Sequence, residues 1–223
     1  MLRERIETVE ERIRGACERA GRRRDEVLLI AVSKIFPASA ICDAYALGLR
    51  EFGENYVQEF EGKSETVSGL QDARFHLIGH LQSNKSNRTA ELFDVVQTVD
   101  SARLAARLDA APARRATPIE VMIEVKLSEE QAKSGAGAGQ LPALIDAISA
   151  CRNLRLTGLM TMPPWSEDPE SSRPYFRRLR ALAGELGLPK LSMGMSHDLE
   201  VAIEEGATMV RVGTALFGRR AKA

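Results

Sequence analysis

Val27-Leu28-Leu29-Ile30-Ala31-Val32-Ser33-Lys34 is an apolar run that ends on a lysine, with Pro37 close behind. The run suits one parallel strand buried on both faces, and a proline three residues on suits the start of a helix. A lysine at the carboxyl end of such a strand can carry its amine into the mouth of an α/β barrel. Partial desolvation there lowers a lysine pKa from its ordinary value near 10.4. The neutral amine can then attack an aldehyde and form a Schiff base. The alternative for Lys34 is a solvated lysine at a strand end.

Outward from this run, strand-like and helix-like segments alternate to the end of the chain. Strands are predicted at 27–33, 51–53, 75–79, 95–99, 119–126, 155–162, 190–193 and 209–213. Helical periodicity lies between them, for example over 38–47, 101–110, 141–150, 172–186 and 198–205. Eight such units predict a (β/α)8 TIM barrel in one domain over residues 1–223. An open doubly wound sheet is the competing fold, but the glycine-rich first turn it usually carries is absent. Ahead of the first strand, Leu2, Ile6, Val9, Ile13, Cys17 and Ala20 recur every three or four residues. They predict an extra amphipathic helix that stops near Gly21.

Composition narrows the function classes. The 223 residues are 44% hydrophobic, with 31 basic and 31 acidic side chains and no net charge. A balanced surface lacks the positive field that holds nucleic acid. Cys17, Cys42 and Cys151 are odd in number and far apart, which suits reduced thiols. The charged start, Met1-Leu2-Arg3-Glu4-Arg5, is no signal peptide, and no stretch suits a membrane span, so the expected location is the cytoplasm.

A barrel places every residue just past a strand on one face, where such folds build their sites. Here those residues are Lys34, Asn55, His80, Asp100, Lys126, Met162, Met195-Ser196 and Gly213-Thr214. Gly213 and Thr214 start a short helix after the last strand, and Ser196 follows the preceding one. Loops after strands seven and eight are the usual phosphate cradle of barrels, with orphan helix N–H groups as donors. A glycine turn with a threonine cap is the plainer reading of the same residues. Arg211 lies two residues before Gly213 and shares its side of the strand. It can only donate hydrogen bonds, so a ring nitrogen facing it must stay an unprotonated acceptor. Otherwise it belongs to a buried ion pair.

His80 is a candidate base or ligand contact. His76, His80 and His197 lack the spacing of a metal site, and none is expected. The stretch Ser134-Gly135-Ala136-Gly137-Ala138-Gly139 is not a nucleotide loop, because Lys133 precedes the glycines and no strand leads into them. A mobile loop at the barrel mouth is expected there.

Several stretches together resemble the pyridoxal phosphate homeostasis proteins, single-domain relatives of the alanine racemase N-terminal barrel. They are Ala31-Val32-Ser33-Lys34, Phe52-Gly53-Glu54-Asn55-Tyr56-Val57-Gln58-Glu59, His76 through Lys85, Lys133-Ser134-Gly135, Gly158 through Pro164, Leu191 through Ser196, and Arg211-Val212-Gly213-Thr214. The resemblance implies that Lys34 forms the internal aldimine with pyridoxal 5′-phosphate. It implies that Asn55 lies beside the ring, that Arg211 faces the pyridine nitrogen, and that Ser196, Gly213 and Thr214 hold the phosphate. Met162 and His80 complete the set of expected cofactor contacts.

Racemases add a β-rich domain whose tyrosine serves the opposite ring face, and they place a histidine where this chain has Met162. Two-base racemisation needs a donor on each face. The expected role is therefore a monomeric, non-enzymatic carrier that holds the cofactor and delivers it to apo-enzymes. A low-activity amino-acid racemase is the alternative, and a cofactor-free Schiff-base aldolase a third reading.

Overall fold

A computed structural model describes residues 1–111, 117–128 and 134–218. Helix α1 (Leu2–Arg19) leads into strand β1 (Leu28–Val32). There follow α2 (Ala38–Ala46), β2 (Glu51–Glu54), α3 (Val57–Val67), β3 (Arg74–Leu77), α4 (Ser86–Leu92) and β4 (Val95–Val99). Next come α5 (Ala102–Asp109), β5 (Ile119–Glu124), α6 (Leu141–Ser149), β6 (Leu154–Met160) and α7 (Arg173–Glu185). The last elements are β7 (Lys190–Met195), α8 (Leu199–Glu204), β8 (Met209–Val212) and the one-turn α9 (Thr214–Phe217). The strands pair in parallel in sequence order, and β1 pairs with β8, so the sheet is a closed barrel. Closure excludes the open doubly wound sheet, which would leave two free edges.

Alternation along the strands divides the core in two. Leu29, Ala31, Phe52, Val96, Val121 and Leu159 face outward into the main hydrophobic cluster with the helices. Ile30, Met122, Met160 and Met209 form a separate cluster within the barrel. Phe60 bridges Phe75 and Phe93, at 4.6 and 4.9 Å between ring centroids. Fully buried rings of this kind stabilise by roughly 1.5–3 kcal/mol each.

Helix α1 buries Ile6, Val9, Ile13 and Cys17 of the predicted stripe, and Ala16 beside them, against α8 and α9, while Leu2 and Ala20 at its two ends are only partly buried. Bidentate Arg12–Glu200 contacts at 2.6 and 2.8 Å join α1 to α8. The chain leaves the helix through Gly21 at φ 63°, a left-handed position that suits glycine. Arg22 then donates to the carbonyls of Ile203 and Ala207, at 2.9 and 2.8 Å, and caps the end of α8.

Residues 134–140 lie between β5 and α6 as expected, but they are tied to the sheet. Ala136 is buried and bridges Val125, exchanging hydrogen bonds with Glu124 and Lys126. Gly135 sits at φ 121°, where an added Cβ would lie 2.9 Å from the Lys126 nitrogen. Lys133 of the predicted motif, and the last residues of the predicted domain, fall outside the described residues. Among the described residues no helix is long and apolar enough to cross a membrane, and no three metal-ligating side chains gather.

Candidate cofactor site

The strand ends meet in a cavity of about 260 Å³ at the carboxyl-terminal mouth of the barrel. Lys34, Asn55, Met162, Ser196, Arg211, Gly213 and Thr214 all line it. Seven of the eight predicted cofactor contacts are thus brought to one place. His80 is the exception. It lines a neighbouring cleft with Glu124, Lys126 and Ser134, and its Nδ1 lies 3.2 Å from the Ser134 hydroxyl. Met162, Trp165 and Met195 line both spaces.

Lys34 is half-buried, and the backbone on each side of it is pinned. Lys63 of α3 donates to the Ser33 carbonyl at 3.0 Å, to Glu54 at 2.8 Å and to Glu59 at 2.7 Å. The Ser33 hydroxyl donates to the same Glu54 oxygen at 2.8 Å. Glu59 in turn accepts from the backbone N–H of Ile35. Ile35 is a β-branched residue at φ 66°, a conformation that persists only where surroundings enforce it. Glu54 is fully buried, and burial pushes its carboxyl pKa up, against the opposing pull of Lys63 and Ser33.

Arg211 is 3% exposed. It makes no ion pair among the described residues, which sets aside the buried-pair reading. Its Nη1 donates to the Ser192 hydroxyl at 2.7 Å and its Nη2 to the Thr161 carbonyl at 3.0 Å. A guanidinium has five N–H groups, so three remain for other partners. Burial pushes its pKa down to about 10, while Asp198 and Glu124 pull upward, so it stays charged at neutral pH.

The loops after β7 and β8 are joined directly. The Ser196 hydroxyl accepts from the Ala215 N–H at 3.3 Å, which leaves its own hydrogen to donate. Asp198 holds the β7 loop, accepting from Met195 N at 2.7 Å and the Ser172 hydroxyl at 2.8 Å. A Cβ on Gly213 would lie 3.3 Å from the Val32 carbonyl, so the absent side chain lets β8 turn close beside β1. The first N–H groups of α9 have no acceptor within the helix.

Sequence reading missed several lining residues. Phe36 packs on Phe217 at 5.3 Å, and Ile78, Trp165 and His197 complete the wall. Trp165 carried a signal, because it is the single tryptophan of the chain and follows two prolines. It is 75% exposed.

The model for the N-terminal domain of alanine racemase matches residues 6–221. A pyridoxal phosphate homeostasis protein of Pseudomonas aeruginosa is 47% identical, covering 98% of this chain and 96% of its own length. The chain belongs to the pyridoxal phosphate homeostasis protein family. A family member from Aquifex aeolicus is 44% identical, over 97% of both chains. PipY of Synechococcus elongatus, solved with and without pyridoxal phosphate (PLP), superposes with TM-scores of 0.85 and 0.87. It is 37% identical and covers 98% of this chain and all of its own. The alanine racemase of Clostridium difficile, 13% identical with a TM-score of 0.72, shares the fold.

Proposed function

We propose that this protein binds pyridoxal 5′-phosphate in the Lys34 cavity and serves intracellular homeostasis of that cofactor, handing it to apo-enzymes. The observation that carries the reading is the convergence of a strand-end amine, a buried donor-only guanidinium and a two-loop hydroxyl cradle on one small cavity. Each part suits one feature of the cofactor. Lys34 would supply the amine that holds the aldehyde covalently. Arg211 would donate to the ring nitrogen and Asn55 would flank the ring. Ser196, Thr214 and the open backbone at Gly213 would hold the phosphate. Met162 would pack against the ring without offering a proton. The bound cofactor contributes an electron-withdrawing ring; the residues here bind it and leave that ring weakly activated.

In this reading residues 1–223 act as a single barrel domain, as a monomer in the cytoplasm, and not as an enzyme. Homologues named for homeostasis and the apolar Met162 support that role. The test is a visible spectrum of the purified protein with the cofactor added, followed by incubation with a cofactor-free transaminase. An absorbance band lost on borohydride reduction, and restored transaminase activity from the unreduced protein, are expected. Rapid conversion of L-alanine to D-alanine, near the roughly 10 per second of a median enzyme, would overturn the carrier reading.

A further inference from the structure

A chain of hydrogen-bonded side chains crosses the barrel from Arg211 to its opposite end. Arg211 Nη1 donates to the Ser192 hydroxyl at 2.7 Å. Ser192 donates to Gln97 Oε1 at 2.6 Å. Gln97 Nε2 lies 3.0 Å from His76 Nδ1, and His76 Nε2 lies 2.5 Å from Glu51 Oε2. An amide nitrogen can only donate, so His76 Nδ1 accepts and its hydrogen sits on Nε2, directed at Glu51. All four links therefore donate in one direction, from guanidinium to carboxylate. The five residues come from β8, β7, β4, β3 and β2, and Glu51 is the first residue of β2. Ser192, Gln97 and His76 are fully buried.

Barrel interiors are ordinarily filled by branched apolar side chains. Ile30, Met122, Met160 and Met209 show that apolar side chains, one of them branched, fill part of this interior too. A continuous polar chain beside them calls for a further reason, and Arg211 supplies it. A buried guanidinium with no ion pair among the described residues is costly. Asp198 and Glu124 act on it only through space. Aligned hydrogen bonds polarise one another at low dielectric, and a chain that ends on a carboxylate offsets a buried cation.

We propose that Ser192, Gln97, His76 and Glu51 are positioning residues that hold Arg211's guanidinium and couple it to the far end of the barrel. Its bearing on the cofactor ring rests on the function proposed above, but its first test needs no cofactor. Arginine side-chain NMR of the cofactor-free protein, with Arg211 assigned through Arg211→Lys, reads the guanidinium directly. Glu51→Gln should speed Arg211 Nη–H exchange about tenfold, as weakening a hydrogen bond from a charged donor does. Gln97→Leu should do the same, and Glu51→Gln should add nothing in that background, because the chain is already cut. Ser192→Ala supplies the cut if Gln97→Leu does not fold. Glu51 also faces Arg74 at 3.8 Å, so Arg74→Met is the control and should leave Arg211 unchanged. Unaltered exchange in Glu51→Gln would overturn the proposal, as would an equal effect of that substitution with the chain intact or cut. With ring-labelled cofactor bound, Glu51→Gln should also move the ring-nitrogen signal. A still ring signal beside altered Arg211 exchange would leave the positioning role standing and count against the ring contact.

Discussion

Glu124 and Thr214 show two ways a single polar side chain serves the barrel mouth. Glu124 is 5% exposed, and its Oε2 has no hydrogen-bond partner among the described residues. Burial pushes its pKa up, Asp100 adds to the effect, and Arg211 and His80 oppose it. A carboxyl whose folded pKa is raised lends stability fully present below its unfolded pKa, and this is lost as pH rises through the folded value. Glu124→Gln should therefore raise Tm at pH 7 by roughly 2–4 °C, the equivalent of about 1 kcal/mol for a chain of this size. The gain should vanish at or below pH 4, which differential scanning calorimetry at the two pH values would show. A gain of equal size at both would mean that packing, not charge, sets the effect. Thr214 offers a hydroxyl at the start of α9. Thr214→Val should weaken pyridoxal phosphate by about 1.5–3 kcal/mol, the worth of a hydrogen bond to a charged group. Pyridoxal without phosphate should be nearly unaffected. Titration of both ligands checks this, and equal losses would assign Thr214 to the fold alone.

Between elements, the decisive contacts are short in space and long in sequence. Lys63 joins α3 to the end of β1 across thirty residues, through the Ser33 carbonyl at 3.0 Å. Lys63→Met removes the cation from buried Glu54 and should cost about 3–5 kcal/mol, measurable by urea denaturation. A loss below 1 kcal/mol would show that Glu54 is satisfied without it. Gly79 lies so close to β2 that an added Cβ would sit 2.2 Å from the Asn55 carbonyl. Gly79→Ala should push the Asn55 segment aside and lower cofactor affinity at least tenfold. Unchanged affinity in a folded variant would remove Asn55 from the site. These contacts also mark what could be read from sequence. The strand ends were legible at Lys34 and Gly213 because apolar runs stop there, Asn55 and Met162 followed from the predicted ends of the second and sixth strands, and Arg211 from the two-residue period. His80 satisfied the same rule, yet its side chain lies over the β5 side of the mouth, a choice that strand position alone does not make. The Glu54–Lys63–Glu59 cluster was not legible, because its charges look like ordinary solvated ones until the fold buries them.

At the scale of the whole molecule, closure of eight parallel strands does two things. It gathers seven separated residues at one mouth, and it encloses a polar path through the centre. Helix α1 stands outside the eight repeats and braces α8 and α9, the elements that follow the loops after β7 and β8. The periodicity of α1 was plain in the sequence, but its docking place was not, since Arg12 and Glu200 are 188 residues apart. In the proposed function this architecture presents one amine, that of Lys34, to the cofactor aldehyde. Borohydride reduction of the cofactor-loaded protein, followed by peptide mass mapping, tests it most directly. A single reduced adduct on the peptide carrying Lys34, absent from Lys34→Ala, is expected. An adduct on Lys63, Lys126 or another lysine, with Lys34 unmodified, would contradict it.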